Sequence, residues 1–154
     1  MGVFIAYEDV AAGKRAKETC DVLAEGLGGD WILDTQVASF KALRIPKLRH
    51  VAAVEAANSD IILISCHDRK LPAGVNQWLQ LGLARRGGPM ALVALFSCPR
   101  AGASHAITAE TYLAGMATQG RLQFFSRFDS GPGQRQSNGR FASRLGPIRK
   151  RTLL

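Results

Sequence analysis

Short apolar runs alternate along the chain with stretches of helical period. Val3 to Tyr7 is apolar at almost every position and predicts a first strand. Ala12, Ala16, Cys20, Leu23 and Leu27 follow at spacings of four and three. They make one buried stripe on a helix from about Ala11 to Leu27, with Asp9 as its cap and Gly28-Gly29 as its stop. Trp31-Ile32-Leu33 reads as a short second strand, broken by Asp34, and residues 34–45 read as a long loop. Pro46 suits the first turn of a second helix, with Leu48, Val51 and Ala52 facing inward and Asn58 at its end. Ile61 to Ile64 predicts a third strand. A helix from Pro72 to Arg86 follows, with Val75, Trp78, Leu79 and Leu83 inward. Ala91 to Phe96 predicts a fourth strand. A fourth helix, capped by Ser104 or Thr108, carries Tyr112, Leu113 and Met116 inward, and Leu122 to Phe125 closes the series as a fifth strand.

Strands that alternate with helices form a parallel sheet covered on both faces, a three-layer α-β-α sandwich. Runs that are apolar at every position are buried on both faces and belong in the middle. Strands one, three and four qualify; strand two is short, and strand five carries Arg121 and Gln123 beside it. That argument predicts the order 2-1-3-4-5, the flavodoxin-like arrangement, over the nucleotide-binding order that would put the most apolar strand at an edge.

Composition changes the picture mainly at the C-terminus. The 154 residues carry a formal net charge of +8, unevenly placed. Residues 127–154 hold seven basic residues and one acidic, a net +6, and residues 1–126 hold 13 basic and 11 acidic, a net +2. From residue 129 onward Gly, Ser, Gln and Arg dominate, which is linker composition. The expected organisation is an α/β domain over 1–128 and a basic, flexible tail over 129–154, dispensable for folding. Phe141, Leu145 and Ile148 allow at most a short docked helix. Arg140, Arg144, Arg149, Lys150 and Arg151 make the tail the one expected route to nucleic acid, since no helix-turn-helix or zinc-finger spacing occurs. Three cysteines without paired spacing, and no signal peptide, point to a cytoplasmic protein with reduced thiols. No apolar run approaches the roughly 18 residues of a membrane span.

In such a sheet, sites form at the carboxyl ends of the strands, near the switch between strands one and three. The residues arriving there are Tyr7, Glu8 and Asp9; Ser65, Cys66, His67 and Asp68; and Ser97 and Cys98. Glu8 and Asp9 can together bind a divalent cation such as magnesium, or Asp9 can simply cap its helix. Cys66, His67 and Cys98 can converge as a cysteine–histidine nucleophile or a partial zinc site. Adjacent residues in extended chain point opposite ways, however, and buried cysteines usually act as small hydrophobes. Gly13-Lys14-Arg15 lacks both the first glycine and the final hydroxyl of a phosphate-binding loop. The hydroxyl-rich loop that binds flavin is absent after Tyr7.

VFIAYED before a helix, and DIILIS before a proline-led helix, resemble the receiver domains of two-component signalling. That resemblance implies a magnesium-binding acidic pair at Glu8 and Asp9 and a hydroxyl at Ser97. Ser65 stands where the phospho-accepting aspartate belongs, with Asp68 three residues late, and Arg127 stands nearest the lysine, so phosphotransfer is not implied. VFIAYED, VEAANSDIILIS and Trp78 are also similar to TIR-like domains. NAD-cleaving members carry a glutamate close after the tryptophan; the helix from Pro72 to Arg86 has no acid at all, so NAD cleavage is not implied. The leading expectation is a non-catalytic, bacterial-type signalling or protein-interaction module without a cofactor, whose partner is another signalling protein. The alternative is an enzyme using the strand-end pocket, a TIR-like nucleotide hydrolase or a thiol-dependent hydrolase. An enzyme would converge a nucleophile or an acid with a base at hydrogen-bond distance there.

Overall fold

A computed structural model describes residues 1–26, 32–67, 71–84, 89–97 and 104–128, with backbone alone at 104–108. The described chain runs β1 (Gly2–Tyr7), α1 (Val10–Gly26), β2 (Asp34–Ser39), a 3-10 turn (Ala42–Arg44), α2 (Pro46–Ala57), β3 (Ile61–Cys66), α3 (Ala73–Leu83), β4 (Ala91–Phe96), α4 (Ser104–Gly120) and β5 (Gln123–Phe128). The five strands form one parallel sheet in the order β2-β1-β3-β4-β5, the flavodoxin-like order expected from burial. β3 and β4 are buried at every position, which is why their sequences are continuous apolar runs rather than alternating ones.

The pleat sends alternate residues to opposite faces. Phe4, Ala6, Ile62, Ile64, Leu92, Ala94 and Phe96 meet α2, α3 and α4 on one face, where Trp78 packs against Phe4 with ring centroids 5.4 Å apart. Val3, Ile5, Ile61, Leu63, Val93 and Leu95 lie on the other face with Ala16, Cys20 and Leu23 of α1.

Three expectations are corrected. The second strand lies at Asp34–Ser39, not Trp31–Leu33; Trp31 falls outside the described residues, and Ile32 is exposed ahead of the strand. β2 is an edge strand, paired to β1 alone and exposed over its first four residues, so no apolar run marks it. Residues 34–45, expected as a loop, also contain Phe40 and Leu43, both buried in the core. On α2, Leu48 and Val51 face solvent, and Ala52, Ala53, Ala56 and Ala57 face inward. Small residues win that face because the elements there approach closely. A Cβ on Gly82 of α3 would lie 3.6 Å from Ala53 O and from Ala56 Cβ of α2; nearer the start of α3, a Cβ on Gly74 would lie 2.7 Å from the Leu43 carbonyl oxygen of the 3-10 turn.

The fourth helix ends in a left-handed residue, Arg121 at φ 59°. Arg121 N–H donates to Thr118 O at 3.2 Å and Leu122 N–H to Ala117 O at 2.8 Å, the paired bonds of a Schellman turn that aims the chain into β5. The third helix ends at Leu83 with Ala84 as its C-cap, three residues short of the expected Arg86; the expected stops at Gly28-Gly29 and Gly87-Gly88, the end of the first helix at Leu27 and the 129–154 tail lie outside the described residues. No described helix is long and apolar enough to cross a membrane.

Candidate active site at the strand ends

β1, β3 and β4 are neighbours, and their carboxyl ends deliver one polar side chain each. In the β3–β4 register Cys66 pairs with Phe96, so His67 and Ser97 leave the sheet side by side. Ser97 N–H donates to the carbonyls of Cys66 and His67, both at 3.1 Å, tying the two strand ends together. From the other side, His67 N–H donates to Glu8 Oε1 at 3.1 Å, and Glu8 N–H donates to Ser65 O at 3.0 Å. The backbone at His67 is thus held by both flanking strands.

Asp9 does two jobs. Its Oδ1 accepts the Ala12 N–H at 2.9 Å, the N-cap expected from sequence. Its Oδ2 accepts from His67 Nε2. The other ring nitrogen, Nδ1, lies 2.5 Å from Ser97 Oγ. A carboxylate only accepts, so Nε2 carries the proton; in the neutral ring Nδ1 then accepts the Ser97 O–H. Asp9, His67 and Ser97 therefore form a continuous carboxylate–imidazole–hydroxyl relay. The His67 and Asp9 side chains are 39% and 48% exposed, open enough for a substrate to reach. The Ala12 N–H holds the Asp9 carboxyl below its ordinary value, and the His67 hydrogen bond adds to this.

The remaining expected residues separate from this relay. Ser65 is fully buried, and its Oγ–H donates to Ala12 O at 2.7 Å, fastening α1 to β3. Cys66 is buried in the core on the α3 side, away from solvent. Burial pushes the Cys20 thiol up to about 11, with Asp21 adding to the shift. Tyr7 is half-buried, its ring 3.2 Å from where a Gly13 Cβ would lie. Asp68, Cys98 and the basic residues Arg140, Arg144, Arg149, Lys150 and Arg151 lie outside the described residues.

A magnesium ion on Glu8 and Asp9 fits this arrangement poorly. Glu8 Oε1 and both Asp9 oxygens already accept protein hydrogen bonds, and the described residues contain no group of three His, Cys, Asp or Glu able to hold a metal. Sequence reasoning named all three members of the relay but weighed His67 only with the cysteines. The signal was present: one aspartate, one histidine and one serine, each within two residues of the end of an adjacent central strand.

No family model and no curated protein matches the chain. Among solved structures it is similar to the rubredoxin oxygen:oxidoreductase of the anaerobe Desulfovibrio gigas, at 12% identity and a TM-score of 0.53. The match covers 94% of this chain and 33% of that one. This chain therefore spans about a third of that protein's length, and the likeness is one of fold.

Proposed function

We propose that this domain is a hydrolase of the serine type, with Ser97 as nucleophile, His67 as general base and Asp9 as the residue that positions the ring. The observation behind this reading is the unbroken hydrogen-bond path from Ser97 Oγ through both His67 nitrogens to Asp9 Oδ2. A serine hydroxyl is a weak nucleophile until an adjacent base takes its proton, and an imidazole serves best when a third group fixes its tautomer. The substrate class is a carboxylic ester or another activated acyl compound. Ser97 Oγ attacks the acyl carbon as its proton passes to His67 Nδ1. The bond to the leaving group breaks as His67 returns that proton to the leaving oxygen. Water, deprotonated by the same nitrogen, then releases the acid and restores Ser97. Asp9 stabilises the imidazolium in both halves without itself taking the proton. This takes up the enzyme alternative with a hydroxyl in place of a thiol, because Cys66 is buried in the core.

A panel of short-chain activated esters tests it. Hydrolysis should fall at least about 100-fold on Ser97→Ala and on His67→Gln, as loss of nucleophile or base demands. Equal rates in all three proteins would refute it.

A second reading is a protein-interaction module, the form in which the signalling role survives. It rests on Ile45, Leu48 and Val51, spaced three apart at the start of α2 and each about half exposed. Under this reading neither the parent protein nor Ser97→Ala hydrolyses any ester.

A further inference from the structure

Between Asp34 and Glu55 the chain carries four Lys or Arg and no acid. That run forms one corner of the fold: β2, the 3-10 turn and the first half of α2. Ser39 ends β2 beside Tyr7, so the turn and the start of α2 lie at the same carboxyl edge of the sheet as the relay. Lys41, Arg44, Lys47 and His50 are exposed there, and none of them pairs with a carboxylate among the described residues. Among them stand Ile45, Leu48 and Val51, spaced three apart and 50%, 47% and 51% exposed. The corner is firmly held. Leu43 is buried beneath it, Arg49 donates from Nε to Leu43 O at 2.8 Å and from Nη2 to Arg44 O at 3.1 Å, and Pro46 opens α2. Three neighbouring aliphatic side chains are thus held out in water among unpaired cations, a grouping that marks an interaction surface rather than scattered exposure.

We propose that this corner binds an anionic lipid surface, with Ile45, Leu48 and Val51 entering the headgroup layer and Lys41, Arg44 and Lys47 reaching lipid phosphates. Charge complementarity sets the sign of the partner: four cations and no acid call for an anionic surface. The aliphatic side chains select its kind. Nucleic acid takes Lys and Arg on its phosphates and aromatic rings on its unpaired bases, and residues 41–57 contain no Phe, Tyr or Trp. A protein partner is gripped by aromatic anchors in a patch depleted of Lys, and this corner has neither property. An aliphatic ridge on the outer side of a helix, flanked by Lys and Arg whose stems reach back to phosphate level, matches the headgroup–acyl boundary of a bilayer. Three half-exposed side chains attach weakly on their own, and anionic headgroups supply the second attraction, so both are required. The proposal does not depend on the chemistry at Ser97, and it puts a lipid surface in place of a protein partner on α2.

The test is co-sedimentation of the full chain with vesicles of phosphatidylcholine containing about 30% phosphatidylglycerol, compared with pure phosphatidylcholine. The parent should bind the anionic vesicles at least about tenfold more tightly. Leu48→Ser with Val51→Ser, and separately Arg44→Gln with Lys47→Gln, should each weaken that binding at least about tenfold. Lys14→Gln with Lys17→Gln removes equal charge from the exposed side of α1, across the sheet, and should leave binding within about twofold of the parent. The proposal would be overturned by a parent that ignores anionic vesicles, as a protein-binding corner would, or that binds both kinds equally. It would also be overturned by α2 variants that bind as the parent does, or by an α1 variant weakened as much as they are.

Discussion

At the scale of single residues, Asp9 links folding to the site. One oxygen caps α1 and the other orients His67, so the residue that starts the first helix also sets the ring tautomer. Removing it with Asp9→Ala should cost about 1 kcal/mol through the lost cap alone. The pH dependence follows from the lowered carboxyl. A carboxyl depressed in the folded state contributes stability that is complete above its unfolded value, near 3.8, and is lost as pH falls through the folded value. Thermal melts should therefore show the gap between parent and Asp9→Ala narrowing as pH falls from about 4 toward 2. A gap that widens below about pH 4 would show that the carboxylate is not the stabilising form. The identity of this site was only half legible in the sequence. Asp9, His67 and Ser97 were each identifiable as polar residues ending central strands. Their mutual contact was not, because it depends on a register match between β3 and β4 and on the direction in which one imidazole turns.

At the scale of elements, legibility followed burial. The four helices and the central strands were readable because each buries a face or both faces, and burial demands a periodic or continuous apolar pattern. β2 escaped because an edge strand with an exposed first half needs no such pattern. The inward face of α2 escaped for a different reason. Its contacts are set by backbone proximity, so alanines outcompete Leu48 and Val51 for the buried positions. Two glycines of α3 test how closely that helix packs, Gly74 against the 3-10 turn and Gly82 against α2. Gly74→Ala places a Cβ 2.7 Å from the backbone oxygen of Leu43, which also accepts from Arg49 Nε, and should destabilise by about 1–3 kcal/mol. Gly82→Ala makes ordinary contact at 3.6 Å and gains helix propensity, so it should be neutral or stabilising by up to about 1 kcal/mol. Urea denaturation of both variants checks the contrast; equal effects would mean that α3 packs no closer on the 3-10 turn at Gly74 than on α2 at Gly82.

At the scale of the molecule, the flavodoxin-like sheet brings three neighbouring strand ends to one edge, which is where open parallel sheets place their ligands. Sheet order was legible because the most apolar strand has only one sensible place, in the middle. The fold supplies a position for chemistry without dictating which chemistry, so the functional account stands on the relay itself. The measurement that bears on it most directly is covalent capture by an alkyl fluorophosphonate, which phosphonylates only a serine activated by a neighbouring base. Intact-mass analysis followed by peptide mapping should find one equivalent per chain, located on Ser97, with labelling at least about 100-fold slower in His67→Gln. A parent protein left unmodified after prolonged exposure, or one modified at the same rate with His67 replaced, would contradict the account.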